Sequence, residues 1–380
     1  MKKLFCKYPW THFEVNSPNG DVTMCCWNNT IVGNVRNSSI EEIWNSIEYQ
    51  NVRKYMYQKG ARHLCSTDCP VLKGLKRYED LSWYKTLDRH TSVYLNAEKN
   101  EQEISTGKVF LASKPRWMRY AYSYACNLNC YHCYQKVIRK TKQCLPETFI
   151  NEIYSFGDVY QVLFHFGGEP FLYDVTKQLL KSDQINQYCR HFFVTNATLL
   201  DDDTFELLKH KEIGCISCSL DGATKETYEV LRRGGNWSRV MENLYRIGEM
   251  KKTKTFRFSI DMTVNSRNGH ELGSFCDLGL SLHAEPTISL VFNDSSSIAF
   301  HKEYLSFSES LMDEIERQIN ISIKKLEEKG FSEARLSWEQ AKRELICNRN
   351  IYIFILYKCI KRIYSILPQY IKKLVEAICG

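Results

Sequence analysis

No block of lysine and arginine in this chain is long enough to grip nucleic acid. The net charge of +7 is spread along 380 residues, and no nucleic-acid partner is expected from that distribution. The chain also lacks an apolar run of the roughly 20 residues that a membrane span requires. The stretch Ile351-Tyr-Ile-Phe-Ile-Leu-Tyr357 stops at Lys358. No apolar segment follows Met1-Lys-Lys3, so a secretory signal is not expected. Sixteen cysteines in such a chain argue against a disulfide framework. They point to thiols kept reduced in a cytoplasm and used for metal.

What is present begins with the run Tyr124-Ala-Cys-Asn-Leu-Asn-Cys-Tyr-His-Cys-Tyr134, a C-x3-C-x2-C spacing of Cys126, Cys130 and Cys133 with no fourth cysteine close by. A structural zinc or a closed iron-sulfur cluster takes four protein ligands. Three thiolates on a four-iron cluster leave one iron open for a reacting group. A zinc knuckle is the plainer alternative for the spacing alone.

Between Arg116 and Asn293 short apolar strands alternate with helical stretches. The strands are expected at Trp117 to Ala125, Tyr160 to Phe166, His191 to Thr195, Gly214 to Leu220, Phe256 to Val264 and Pro286 to Phe292. Helical patterns include Pro146 to Phe156, Asp203 to His210, Ser238 to Met250 and Glu271 to Leu280. Six such units imply parallel strands joined by right-handed crossovers. The expected fold is α/β: a partial (β/α)6 barrel over 115–300, a small cysteine-rich domain over 1–75, a linker over 76–114 and a helical region over 301–380. Reactive groups on such barrels sit on the loops after the strands. The cysteine run follows the first strand, Gly167-Gly168-Glu169-Pro170 the second, Thr195-Asn196-Ala197-Thr198 the third, Ser219-Leu220-Asp221-Gly222 the fourth and Thr263-Val264-Asn265 the fifth.

This constellation resembles the radical S-adenosylmethionine (radical SAM) superfamily. The resemblance implies that Cys126, Cys130 and Cys133 hold a 4Fe-4S cluster whose open iron chelates the methionine part of S-adenosylmethionine. It implies that Gly167, Gly168 and Glu169 form the methionine-amino site, since paired glycines let backbone approach a ligand. Ser219 and Asp221, two apart at a strand end, share a direction and would meet ribose hydroxyls. Arg232, or the adjacent Arg233, would pair with the cofactor carboxylate. Asn196 and Asn265 are weaker members of the set. His132 stands where the family often has an aromatic residue near the adenine. Cys215 and Cys218 are assigned to core packing. No catalytic acid or hydrogen donor is identifiable.

The first seventy or so residues carry a second pattern. Cys6, Pro9, Trp10, Gly20, Cys25, Gly33-Asn34, Ile43-Trp44-Asn45 and the C-x3-C pair Cys65 and Cys69 resemble the SPASM domain, which binds auxiliary iron-sulfur clusters. Ser39 with Glu42 makes a capping box for the helix between the cysteine pairs. The resemblance implies a second 4Fe-4S cluster closed by Cys6, Cys25, Cys65 and Cys69, with Cys26 able to exchange roles with Cys25. Zinc on the same four thiolates remains the alternative. The family usually places this domain after the barrel; here it comes first.

Phe307 to Lys329 reads as a helix. The tail after Ile351 carries Lys358, Lys361, Arg362, Lys372 and Lys373 among apolar residues, a pattern for a packed helix or for contact with an anionic membrane surface. The resemblance implies an enzyme that cleaves S-adenosylmethionine reductively to a 5′-deoxyadenosyl radical. That radical would take hydrogen from a peptide, a sugar or another small metabolite. A flavodoxin or ferredoxin would supply electrons. The alternative is an iron-sulfur electron carrier or redox sensor on the same fold.

Overall fold

The computed structural model describes residues 4–65, 69, 72, 80–133, 135, 142–290 and 308–346. Strands β1 (His12–Val15), β2 (Asp21–Cys25) and β3 (Asn28–Asn34) open the chain, followed by helices α2 (Ile40–Trp44) and α3 (Ile47–Lys59), with a single-turn helix α1 (Tyr8–Thr11) ahead of them. The Ser39 hydroxyl accepts from the Glu42 N–H while the Glu42 carboxylate accepts from the Ser39 N–H, so the expected capping box forms. Trp10, Phe13, Trp44 and Tyr49 are buried together where these strands and helices pack. A longer helix, α4 (Ser92–Thr106), lies in the segment read from sequence as a linker. Its buried Asn100 donates to the Trp10 carbonyl at 2.7 Å, and its Glu103 accepts from the Ala112 N–H at 2.7 Å.

Then come β4 (Trp117–Ala121), α5 (Glu147–Ser155), β5 (Val162–Phe166), α6 (Asp174–Lys181), β6 (Arg190–Thr195), α7 (Asp202–His210) and β7 (Ile213–Ser219). They are followed by α8 (Lys225–Leu231), α9 (Trp237–Lys251), β8 (Arg257–Val264), α10 (Leu272–Ser281) and β9 (Glu285–Leu290). Strands β4 to β8 pair in parallel with their sequence neighbours, as crossovers through helices require. Each expected strand appears, with ends that differ from the expected ones by one to four residues; residues 291 and 292 of the last lie outside the described residues. The sheet runs β3-β2-β1-β4-β5-β6-β7-β8-β9 and does not close into a barrel, so the expected partial-barrel class holds.

Strand β1 pairs in parallel with β4, Glu14 opposite Arg119, a long-range pairing that no local sequence signal marks. The N-terminal strands thereby continue the barrel sheet. Period-two alternation sorts its two faces. Met118, Tyr120, Leu163, Phe193, Ile216 and Phe258 are buried on one side. On the other, Arg119, Phe164, Phe192, Ser217, Ser219 and Asp261 are only half-buried. That half-open face leads up to the loops after the strands.

The described residues form two compact units, one of those within 1–262 and 274–287, the other of those within 263–273 and 288–380. In the smaller, the helix Glu309–Glu328 starts at a Ser308 cap and buries Ile315, Ile319 and Leu326. A second helix covers 332–346 and buries Trp338. Among the described residues no helix is long and apolar enough to cross a membrane. The basic tail from Ile351 lies outside them.

Candidate active site

The cysteine loop leaves β4 and is tied down along its length. The Tyr124 hydroxyl donates to the Asn16 carbonyl at 2.6 Å. The N–H groups of Asn129 and Tyr131 donate to the Arg233 and Leu231 carbonyls, each at 2.7 Å. The Ala125 carbonyl accepts from the Glu169 N–H at 3.0 Å. Strand β5 therefore ends against the loop, and the two glycines make that approach feasible. A Cβ on Gly168, whose φ is +54°, would lie 2.1 Å from the Ala125 oxygen; one on Gly167, with φ +84°, would lie 2.7 Å from the Ala121 Cβ.

Cys130 is buried, while Cys126 and Cys133 are half-buried. Burial pushes the Cys130 thiol up to about 11, opposed by the Arg232 guanidinium and reinforced by Asp221 and the other two cysteines. Burial also raises Cys126, while the Leu128 N–H and the Asn196 amide favour its thiolate. These donors lie at 3.4 Å and 3.6 Å from Cys126 Sγ, and Arg232 Nη1 stands 4.0 Å from Cys130 Sγ. Donors and a cation aimed at sulfur are the surroundings an anionic, thiolate-ligated cluster requires. Among the described residues no three His, Cys, Asp or Glu side chains are arranged to hold a single metal ion. The thiolates of a cuboidal cluster sit on separate irons and need no such convergence.

Of the other residues singled out from sequence, Glu169 is buried and accepts from Thr195 Oγ1 and the Asn196 N–H, both at 2.7 Å, and from the Phe171 N–H at 3.3 Å. Burial raises its pKa and these donors pull it back. Asn196 is drawn into the loop, donating to Asn127 Oδ1 at 2.9 Å. Ser219 ends β7 on the half-open face. Asp221 is turned inward, 1% exposed with φ +60°. Its Oδ2 lies 2.7 Å from Arg232 Nη2 and 2.8 Å from His132 Nε2. The two adjacent arginines separate clearly. Arg232 is buried against Asp221, whereas Arg233 is exposed with its guanidinium 4.9 Å from the Tyr131 ring centre. Asn265 spends its groups in its own turn, accepting at N–H distance 2.9 Å from Arg267 and donating to the Thr263 carbonyl at 3.1 Å. Cys215 and Cys218 are both buried.

In the N-terminal segment, Cys6, Cys25 and Cys65 meet one hydrophobic cluster. Two contacts bring these distant positions together. The Ala61 N–H donates to the Leu4 carbonyl at 2.7 Å, and Asn28 Nδ2 donates to the Leu64 carbonyl at 3.0 Å. Burial raises Cys25, with Glu14, Cys26 and Cys6 adding to it; burial and then Cys69 push Cys65 up to about 11. Cys69 is buried and Cys26 exposed. Cys26 instead lies close enough to Arg119 to favour its charged form. Sequence reasoning missed Arg119, which pairs with Glu14 at 3.2 Å and lies over the Phe166 ring at 4.0 Å. It also missed Asp261, whose carboxylate accepts from the hydroxyls of Ser217, Thr287 and Ser259. Both alternate inward on otherwise ordinary strands, and no local motif marks them.

The radical SAM superfamily model matches residues 120–271, and that of the SPASM iron-sulfur cluster-binding domain matches residues 6–70. Among curated proteins, the chain is similar to an AdoMet-dependent heme synthase of Methanosarcina barkeri, 28% identical over 46% of this chain and 50% of that protein. It is also similar to an Fe-coproporphyrin III synthase of the same organism, 27% identical over 40% of this chain and 38% of that protein. The chain thus spans half or less of the curated relatives it matches. Among solved structures, Streptococcus suis SuiB bound to the precursor peptide SuiA aligns with a TM-score of 0.46 at 13% identity, over 86% of this chain and 71% of that one. The chain therefore carries a radical SAM domain over residues 120–271 with a SPASM domain ahead of it over residues 6–70, and these two domains imply a 4Fe-4S cluster, S-adenosylmethionine and an auxiliary iron-sulfur cluster as cofactors.

Proposed function

We propose that Cys126, Cys130 and Cys133 hold the reactive cluster, that Cys6, Cys25, Cys65 and Cys69 hold one auxiliary cluster, and that the chain abstracts hydrogen from a substrate lying against the half-open face of the sheet. The observation that supports this most is the sulfur environment of the loop. Leu128, Asn196 and Arg232 all present N–H groups toward Cys126 or Cys130. When bound, the reduced cluster supplies the electron that cleaves S-adenosylmethionine to a 5′-deoxyadenosyl radical. Asn196 and Arg232 orient and charge-balance the loop. Glu169 joins the ends of β5 and β6 and would hold the cofactor's amino group. Asp221 holds Arg232 in its charged form despite its burial. A flavodoxin or ferredoxin is the fitting electron donor.

The curated relatives, whose names describe heme and Fe-coproporphyrin III synthesis, favour a small-molecule substrate over a peptide. Anaerobic reconstitution followed by a reductant and S-adenosylmethionine should release 5′-deoxyadenosine. Its absence would leave an iron-sulfur electron carrier as the surviving alternative. About eight irons per chain are expected, and about four would return the N-terminal thiols to zinc or to no metal. Mass spectrometry after turnover with an iron porphyrin carboxylate and, separately, with a peptide panel then decides between the substrate classes.

A further inference from the structure

We propose that Arg119 binds a carboxylate of the substrate, and that the substrate is a flat aromatic carboxylate laid on the phenylalanines of the half-open face. This rests on the small-molecule reading of the same site and specifies the chemistry that the site selects.

Three half-buried rings, Phe164, Phe166 and Phe192, stand on inward positions of β5 and β6. Phe164 joins the other two, its ring centre 5.9 Å from that of Phe166 and 6.0 Å from that of Phe192. Rings in contact make a surface on which another aromatic plane can stack or rest edge-on. Small-molecule sites combine such an apolar lining with a few placed polar groups that fix orientation.

Arg119 supplies the polar group. It is the register partner of Phe164 on the adjacent strand, yet its guanidinium lies nearer Phe166, 4.0 Å from that ring centre against 5.2 Å for Phe164. The cation therefore leans toward the C-terminal end of β5, where Gly167, Gly168 and Glu169 follow. A carboxylate held there draws the substrate to the rim on which the proposed cofactor residues stand. Among the described strands, the other inward arginines open β6 and β8 at the opposite end, Arg190 over Trp83 at 4.4 Å and Arg257 against Glu285 at 3.3 Å.

The guanidinium is only partly satisfied by the chain. Nη1 donates to Glu14 Oε2 at 3.2 Å. Asn16 Nδ2 lies 3.4 Å from the same oxygen and donates to Thr23 Oγ1 at 2.8 Å, so Glu14 is held in place from its other side. Nε of Arg119 is buried and has no hydrogen-bond partner among the described residues. Arginine carries five N–H donors in a rigid fork, and a buried donor left unpaired costs about 1–3 kcal/mol. The edge that carries Nε suits a carboxylate bound through two parallel hydrogen bonds, and 19% of the side chain is open on this face. Glu14 orients the fork, and a ligand carboxylate fills its remaining edge.

The test uses coproporphyrin III, a flat ring bearing carboxylates, and its tetraamide, which keeps the ring and loses every charge. Equilibrium dialysis of each against the anaerobically reconstituted full chain, with reductant left out, reads binding alone. The native protein should hold the carboxylate form about tenfold or more tightly than the amide, as for a hydrogen bond to a charged group. Arg119→Met combined with Glu14→Gln, which strands no charge, should bind the two forms within about threefold of each other. Glu14→Gln alone keeps the guanidinium and should keep the preference for the carboxylate. Should the double variant fail to fold, Arg119→Lys reads the same loss of preference, since lysine keeps the charge without the fork. A preference that survives in the double variant overturns the assignment of Arg119, as does equal binding of acid and amide to the native protein. If neither porphyrin binds the native protein, the small-molecule reading falls and this inference with it.

Discussion

A Cβ on Gly168 would stand 2.1 Å from the carbonyl oxygen of Ala125. The end of β5 thus presses on the cysteine loop backbone to backbone, and the second glycine of the Gly167-Gly168 pair answers to that contact as well as to any ligand. Gly168→Ala must either push the loop away or leave its φ of +54°. A strained backbone position of this kind costs about 1–3 kcal/mol. The expected result is a lowered melting temperature and loss of about four irons on reconstitution, with the auxiliary cluster retained. An unchanged iron content would show that the loop yields without harm.

The neighbouring arginines 232 and 233 should behave oppositely. Arg232→Met leaves the Asp221 carboxylate buried without its guanidinium partner and with His132 alone beside it, a loss of about 3–5 kcal/mol in urea unfolding. Adding Asp221→Asn to the same chain should recover part of it, because the uncompensated charge is then gone. Arg233 is exposed over Tyr131, so Arg233→Ala should cost under about 1 kcal/mol. Equal losses at the two positions would contradict the ion-pair geometry.

Between β1 and β4, Arg119 offers a third test. Its guanidinium pairs with Glu14 at 3.2 Å and covers Phe166 at 4.0 Å. Arg119→Met keeps much of the cover and strands the buried Glu14 carboxylate. Stability should drop by about 3 kcal/mol or more in urea unfolding, and Arg119→Met with Glu14→Gln should restore most of it. No restoration would mean that the cover over Phe166 carries the effect.

These residues show where the sequence was readable. The strands from Trp117 to Leu290 announced themselves by apolar runs, the rim motifs by their place after each strand, and helix α2 by Ser39 and Glu42. All are local signals. The pairing of Glu14 with Arg119 joins positions far apart in sequence, and alternation tells which way a side chain points without telling which strand lies beside it. Asp261 was passed over for the same reason. Its meaning comes from Ser219, Ser217 and Thr287 on the flanking strands. Asp221 was legible as a motif member, yet its inward turn depends on Arg232 reaching back from the end of α8.

The pH dependence of stability should carry the mark of a buried chain on the helix-covered face. The Tyr120 hydroxyl lies 2.6 Å from His165 Nδ1, His165 Nε2 lies 3.1 Å from His191 Nδ1, and the His165 ring stacks on Phe193 at 4.8 Å. Burial holds His165 well below the ordinary histidine range, with His191 adding to it, and pulls His191 down to about 3. Unfolding frees both rings to take up protons at their ordinary value of about 6.5. The unfolded chain therefore binds more protons as pH falls below that value, and stability declines with it. Each ring that stays neutral in the fold contributes a slope of up to about 1.4 kcal/mol per pH unit below 6.5, and nothing above it. Asp201, whose carboxyl is held far down by Lys177 and Thr204 against its own burial, titrates below this window. Urea unfolding at pH 5, 6, 7 and 8 should show stability level from 7 to 8 and falling toward 5. His191→Phe removes one proton site and should flatten that fall. A variant as steep as the native protein would assign the slope elsewhere.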